Sequence, residues 1–199
     1  GTCQMGYGGS VTINGGTVIA EATCDAITTG YGGTIAINGG DVTAIGGVNN
    51  FAEDLNRVIP GNGIGPYESG SVIINGGTVK ATAKGEGFGI GGARIYNTGA
   101  MTVTINGGTI EATANHNNAA IGDKGIGKSG VTINGGTVTL LNPFGRDADG
   151  IDSNGNIDIN GGLVYISLVG DGSNCALDYG SENGGVCRIN GGTVVACGG

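Results

Sequence analysis

The sequence predicts an all-β fold: a right-handed parallel β-helix (solenoid) of about seven coils, each made of three short strands. Three observations carry this. An Ile-Asn-Gly-Gly core recurs seven times. Apolar residues alternate with a period of two on both sides of it, and a further apolar position stands upstream of each later core.

The asparagines of the core are Asn14, Asn38, Asn75, Asn106, Asn134, Asn160 and Asn190, at intervals of 24, 37, 31, 28, 26 and 30 residues. Before each one, a face of one strand carries Val11/Ile13, Ile35/Ile37, Val72/Ile74, Val103/Ile105, Val131/Ile133, Ile157/Ile159 or Cys187/Ile189. After the two glycines a second strand repeats Val18, Val42, Val79, Ile110, Val138, Val164 and Val194. The upstream position, always preceded by Ala or Gly, is Ile27, Ile64, Ile90, Ile121, Ile151 and Leu177. One such coil cannot bury its apolar face, whereas a stack of coils about 4.8 Å apart can.

Asn-Gly-Gly is then the corner between the second and third strands of a coil. Glycine supplies backbone angles closed to β-branched residues. An asparagine at the same place in every coil bonds to the amides above and below as a ladder, a structural rather than a ligand-binding role. The long interval between Asn38 and Asn75 holds an excursion at 48–62, in which FAEDLNRVI reads as one or two helical turns.

Composition narrows the function. Of 199 residues 47 are glycine and 3 proline, and the periodicity makes this glycine punctuation rather than disorder. Net charge is −8 and pI about 4.3, with no Lys/Arg stripe, which argues against nucleic acid. No apolar run approaches the roughly 18 residues of a membrane span. No basic-then-apolar leader opens the chain, so we expect one β-helix domain over 1–199, a piece of a longer secreted chain. Five cysteines lean towards an oxidising compartment, and without CxxC spacing a zinc site is not expected. Cys3 with Cys24, and Cys175 with Cys197, are spaced to bridge neighbouring coils, and Cys187 takes an inward site.

The repeated INGGTV corners, followed by DGIDSNGNIDINGGLVYIS and NCALDYGSENGGVCRINGGTVVACG, resemble the bacterial extracellular carbohydrate-binding β-helix family. The general repeat covers nearly the whole chain, and the more specific part is 147–199. The resemblance implies a fold like that of polysaccharide lyases, bound calcium, and plant cell-wall polysaccharide of the glucan or pectin class as partner. It also implies an extracellular or cell-surface location.

The residues add two candidate sites. Aligning coils on the short strand gives Thr28, Gly65, Gly91, Gly122, Asp152 and Asp178 after the apolar position. Two stacked carboxylates about 5 Å apart repel by ~3 kcal/mol at an effective dielectric near 20, so a cation, a shared proton or splaying into water must offset them. Asp147 and Asp149 lie just before this position and Asp123 one coil earlier, which suggests Ca²⁺ at Asp149, Asp152 and Asp178; solvated acidic turns are the alternative. Tyr7, Tyr31, Tyr67, Tyr96 and Tyr179 fall between the first and second strands, and Tyr7 and Tyr31 share GYGG at the same offset. Tyrosine faces stack on sugar rings, but turns also use them to pack on each other. His116, alone in a polar loop, receives no role.

These readings favour a non-catalytic, calcium-stabilised polysaccharide-binding module. A structural adhesin or fibre subunit with end-to-end self-association is the alternative. A lyase would use Arg146, Lys124, Lys128 or Arg188 as base beside the acids, and a hydrolase the pair Asp152/Asp178. Ice binding is disfavoured, since Thr137/Thr139 is the single Thr-x-Thr pair outward on the third strand of a coil.

Overall fold

The structure is a computed structural model that describes residues 6–49, 59–92, 99–115, 118–123, 129–142, 148–169, 173–180 and 183–197. The described residues form a right-handed parallel β-helix, with strands of successive coils joined in three parallel sheets. The first sheet stacks the seven strands that precede the asparagines, from Ser10–Ile13 to Cys187–Ile189. The second stacks the seven that follow the glycines, from Thr17–Glu21 to Thr193–Cys197. The third stacks Ile90–Gly92, Ile121–Asp123, Ile151–Ser153 and Leu177–Tyr179, extended towards the N-terminus by single bridges from Ile90 to Ile64 and from Ile64 to Ile27.

Register follows the letters. Ile13, Ile37, Ile74, Ile105, Ile133, Ile159 and Ile189 are successive Cα partners. So are Val18, Val42, Val79, Ile110, Val138, Val164 and Val194. These columns, with Ile64, Ile90, Ile121 and Ile151, make one continuous core in which the interior members are fully buried. Each buried isoleucine contributes about 1.5–3 kcal/mol relative to exposure.

The asparagine ladder runs without a break. Each Nδ2 donates to Oδ1 of the preceding coil: Asn38 to Asn14, Asn75 to Asn38, Asn106 to Asn75, Asn134 to Asn106, Asn160 to Asn134 and Asn190 to Asn160, at 2.7–2.8 Å. All seven asparagines are exposed, so the ladder clips the outside of the corner.

A second polar series lies at the corner between the second and third sheets, where strand pairing lapses. Asp25 Oδ1 accepts the Asn62 N–H at 2.8 Å, and Asn62 Oδ1 the Phe88 N–H at 2.9 Å. Asn142 Oδ1 accepts the Ala114 N–H at 2.9 Å, while its Nδ2 donates to the Asp149 carbonyl. Unlike the ladder, these side chains are buried and stand in for missing backbone partners.

Two expectations change. The excursion begins and ends as an antiparallel pair, Val48–Asn49 with Ile59–Pro60, so Ile59, the last residue of the stretch read as helical turns, is strand; residues 50–58 lie outside the described residues. Cys197 is a free, exposed thiol, so it does not bridge to Cys175: it pairs in register with Ser167 inside the second sheet, whereas Cys175 lies beyond the end of that strand. Cys3, the expected partner of Cys24, is outside the described residues. Cys187 does occupy the inward column over Ile157, but it is half-exposed because it sits in the last described coil. Burial, with Asp158 beside it, pushes its thiol up, which keeps it protonated.

Candidate functional site

The acidic edge begins where a glycine column ends. Gly91, Gly122, Asp152 and Asp178 are successive Cα partners in the third sheet. A Cβ on Gly122 would lie 2.2 Å from the Asp152 carbonyl oxygen, so the glycine run from Gly65 to Gly122 admits no side chain and the next to enter the column is Asp152. Asp152 is half-buried and Asp178 exposed, and the predicted stacking of the two acids is present.

Their neighbours turn elsewhere. Asp149 is 7% exposed and its Oδ1 accepts the Cys175 N–H at 2.6 Å, which binds one coil to the next. Asp123 faces inward, buried, and accepts a hydrogen bond from Ser153 Oγ at 3.3 Å. Among the described residues no three His, Cys, Asp or Glu side chains gather as a metal-holding group. Two hard oxygen donors therefore share one edge, and the third carboxylate is engaged with backbone.

The tyrosines divide. Tyr7 and Tyr31 bridge in parallel, as their shared motif predicts, with ring centroids 5.3 Å apart and planes 31° apart. Tyr67 joins from the third coil, its centroid 5.1 Å from that of Tyr31 and its plane at 61°. Exposure falls along the column, from 92% at Tyr7 through half-buried Tyr31 to 7% at Tyr67. The Tyr31 hydroxyl donates to Glu68 Oε1 at 3.2 Å. Burial and then the Glu68 charge hold the Tyr31 hydroxyl above its ordinary pKa, so it remains a donor at neutral pH.

Tyr179 is not on this column. It ends the last short strand, paired with Ser153 beside the acidic step. Tyr96 lies outside the described residues, as do Lys124, Lys128, Arg146, Asp147 and His116. Arg188 pairs with Asp158 one coil below at 3.1 Å, a surface ion pair worth at most about 1 kcal/mol. Glu68 was not singled out by the sequence reading; its one signal is adjacency to Tyr67.

What the tyrosine column offers is an aromatic surface across two coils, Tyr7 and Tyr31, backed by buried Tyr67 and with a carboxylate holding the Tyr31 hydroxyl. Pyranose rings present an apolar C–H face and a rim of hydroxyls, which such a surface matches.

Comparison with known proteins identifies a family over part of the chain that contains Tyr67 but neither Tyr7 nor Tyr31. Residues 59–172 match the family described as carbohydrate-binding domain-containing protein, and residues 35–66 match a β-helix repeat. No curated protein and no solved structure matches the chain. Among the described residues no helix is long and apolar enough to cross a membrane. With the first of these matches spanning more than half of its length, the chain belongs to the family of carbohydrate-binding domain-containing proteins and carries that module on a parallel β-helix.

Proposed function

We propose that this protein is a non-catalytic polysaccharide-binding module of a secreted or cell-surface bacterial protein, and that Tyr7 and Tyr31, backed by buried Tyr67, form its glycan contact. The observation that carries the reading is the three-coil ring stack with its graded exposure. The excess of acids over bases favours neutral glucans; a polyuronate of the pectin class needs a bridging cation. Tyr31→Ala removes the middle ring and the Glu68 partner, and weakens retention on a polysaccharide affinity gel by about tenfold, equivalent to ~1.4 kcal/mol. Unchanged retention of Tyr7→Ala, Tyr31→Ala and Tyr67→Ala on every glucan and pectin that the wild type binds would remove the stack from the binding site.

Calcium belongs to the same reading. The Asp152–Asp178 step supplies two carboxylates, and peptide oxygens and water complete a shell of 6–8 oxygens. Tyr179, next in sequence to Asp178, points to the opposite side of the strand, in register with Ser153 and Asp123, and belongs neither to that shell nor to the stack. Saturating Ca²⁺ at about 100 times its dissociation constant adds ~2.7 kcal/mol of stability. The expected result is a calcium-dependent rise in thermal midpoint that Asp152→Ala and Asp178→Ala abolish and Asp149→Ala only partly reduces. A wild-type midpoint indifferent to calcium sinks the proposal.

A further inference from the structure

The outward face of the second sheet changes character along the solenoid. Its N-terminal strands carry Glu21, Asp41, Lys80 and Glu111, with Lys80 paired to Glu111 at 2.7 Å and Lys84, just past the end of its strand, to Glu21 at 2.6 Å. From Thr137–Asn142 through Leu163–Leu168 to Thr193–Cys197, no outward position is charged. Instead Leu163, Tyr165 and Val195 stand there, each 41–43% exposed. Tyr165 lies in register between Thr139 and Val195, and Leu163 between Thr137 and Thr193. In a chain of net charge −8, a flat uncharged face with one aromatic ring and flanking hydroxyls is a local departure that needs a partner.

We propose that this face, centred on Tyr165, is a second glycan contact that takes a strand of neutral polysaccharide, and that the protein thereby bridges two strands. The occupant follows from charge and size. An uncharged surface offers a polyanion or polycation no Coulombic gain, whereas a neutral sugar needs only a ring face and hydroxyl partners. Three half-exposed apolar side chains fall far short of the ~800 Å² per partner of a stable protein interface. Threonine hydroxyls on adjoining strands, about 4.8 Å from the ring's own strand, match the rim of a sugar stacked on it.

Bridging follows from topology. The Tyr7–Tyr31–Tyr67 stack sits at the corner joining the third sheet to the first, the one corner that the second sheet does not border. The two contacts therefore face apart and engage separate strands. The Tyr165 contact rests on the protein being a polysaccharide binder but not on the tyrosine stack being a site, whereas the bridging rests on both.

The test uses hydroxyethyl cellulose as the neutral probe and polygalacturonate as the charged control. Affinity electrophoresis reads binding, and light scattering on mixing reads cross-linking. Tyr165→Thr keeps a strand-favouring residue at this outward position, so it folds; Tyr165→Phe keeps the ring. Wild type is expected to be retarded by hydroxyethyl cellulose and to raise scattering. Tyr165→Thr is expected to lose the scattering rise and to bind several-fold more weakly, with Tyr165→Phe close to wild type and polygalacturonate behaviour unchanged. Wild-type retardation and scattering retained by Tyr165→Thr overturn the inference. So does a wild-type dimer in sedimentation that Tyr165→Thr converts to monomer with retardation intact, since the face would then belong to a second copy. Loss of retardation with Tyr165→Thr but not with Tyr31→Ala supports the Tyr165 contact, removes the stack as a site and overturns the bridging. A wild type retarded by neither polymer removes both readings.

Discussion

Gly77→Ala lowers stability by about 2–3 kcal/mol, while Gly76→Ala, one residue earlier in the same corner, costs less than about 1 kcal/mol. Gly77 has φ +90°, and a Cβ there would lie 2.5 Å from the Gly40 carbonyl oxygen. That oxygen accepts the Thr78 N–H at 2.8 Å, so yielding to the methyl group also disturbs the link between the two coils. At Gly76 the φ is ordinary, and a Cβ meets the Asn38 carbonyl oxygen at 3.4 Å, normal contact. Urea denaturation of the two variants, followed by far-UV circular dichroism, checks the contrast. Equal losses would mean that the corner is not held by the second glycine.

The second large effect is at Asn142. Asn142→Ala costs about 2 kcal/mol, against less than about 1 kcal/mol for Asn106→Ala in the outer ladder. Asn142 is fully buried, and its removal strands the Ala114 N–H, which costs about 1–3 kcal/mol when left dry, while the Asp149 carbonyl loses one of two donors and keeps the Ala120 N–H at 3.0 Å. Asn106 also makes two ladder bonds, at 2.7 and 2.8 Å, but it is exposed and water replaces them. Thermal unfolding of both variants decides between these outcomes. An Asn106 variant as damaged as the Asn142 variant would show that the outer ladder carries the stability.

The contrast between these two asparagines marks how far the sequence could be read. Asn106 is visible because it recurs at one place in every coil. Asn142 is not, because its partners lie 28 and 7 residues away and are backbone atoms that no motif advertises. Asp152 and Asp178 were legible as a stacked pair, since both follow the inward residue of a short strand. Asp149 was grouped with them by proximity in sequence, but at its corner the chain turns its carboxylate to the next coil's N–H. Tyr7 over Tyr31 was likewise legible from a shared motif, whereas the descent of the column into buried Tyr67 and its tie to Glu68 were not.

The sequence by itself determined the winding, the three inward columns, the asparagine ladder and the two stacked acids. Each is a short-period pattern, and a strand-forming chain can bury such a pattern in only one register. Only the tertiary structure decided which corner side chains turn inward to satisfy backbone, how far each aromatic is exposed, and which faces lie apart. Those outcomes depend on how neighbouring coils meet at irregular corners, where hydrogen-bond satisfaction and close approach choose the direction of each side chain.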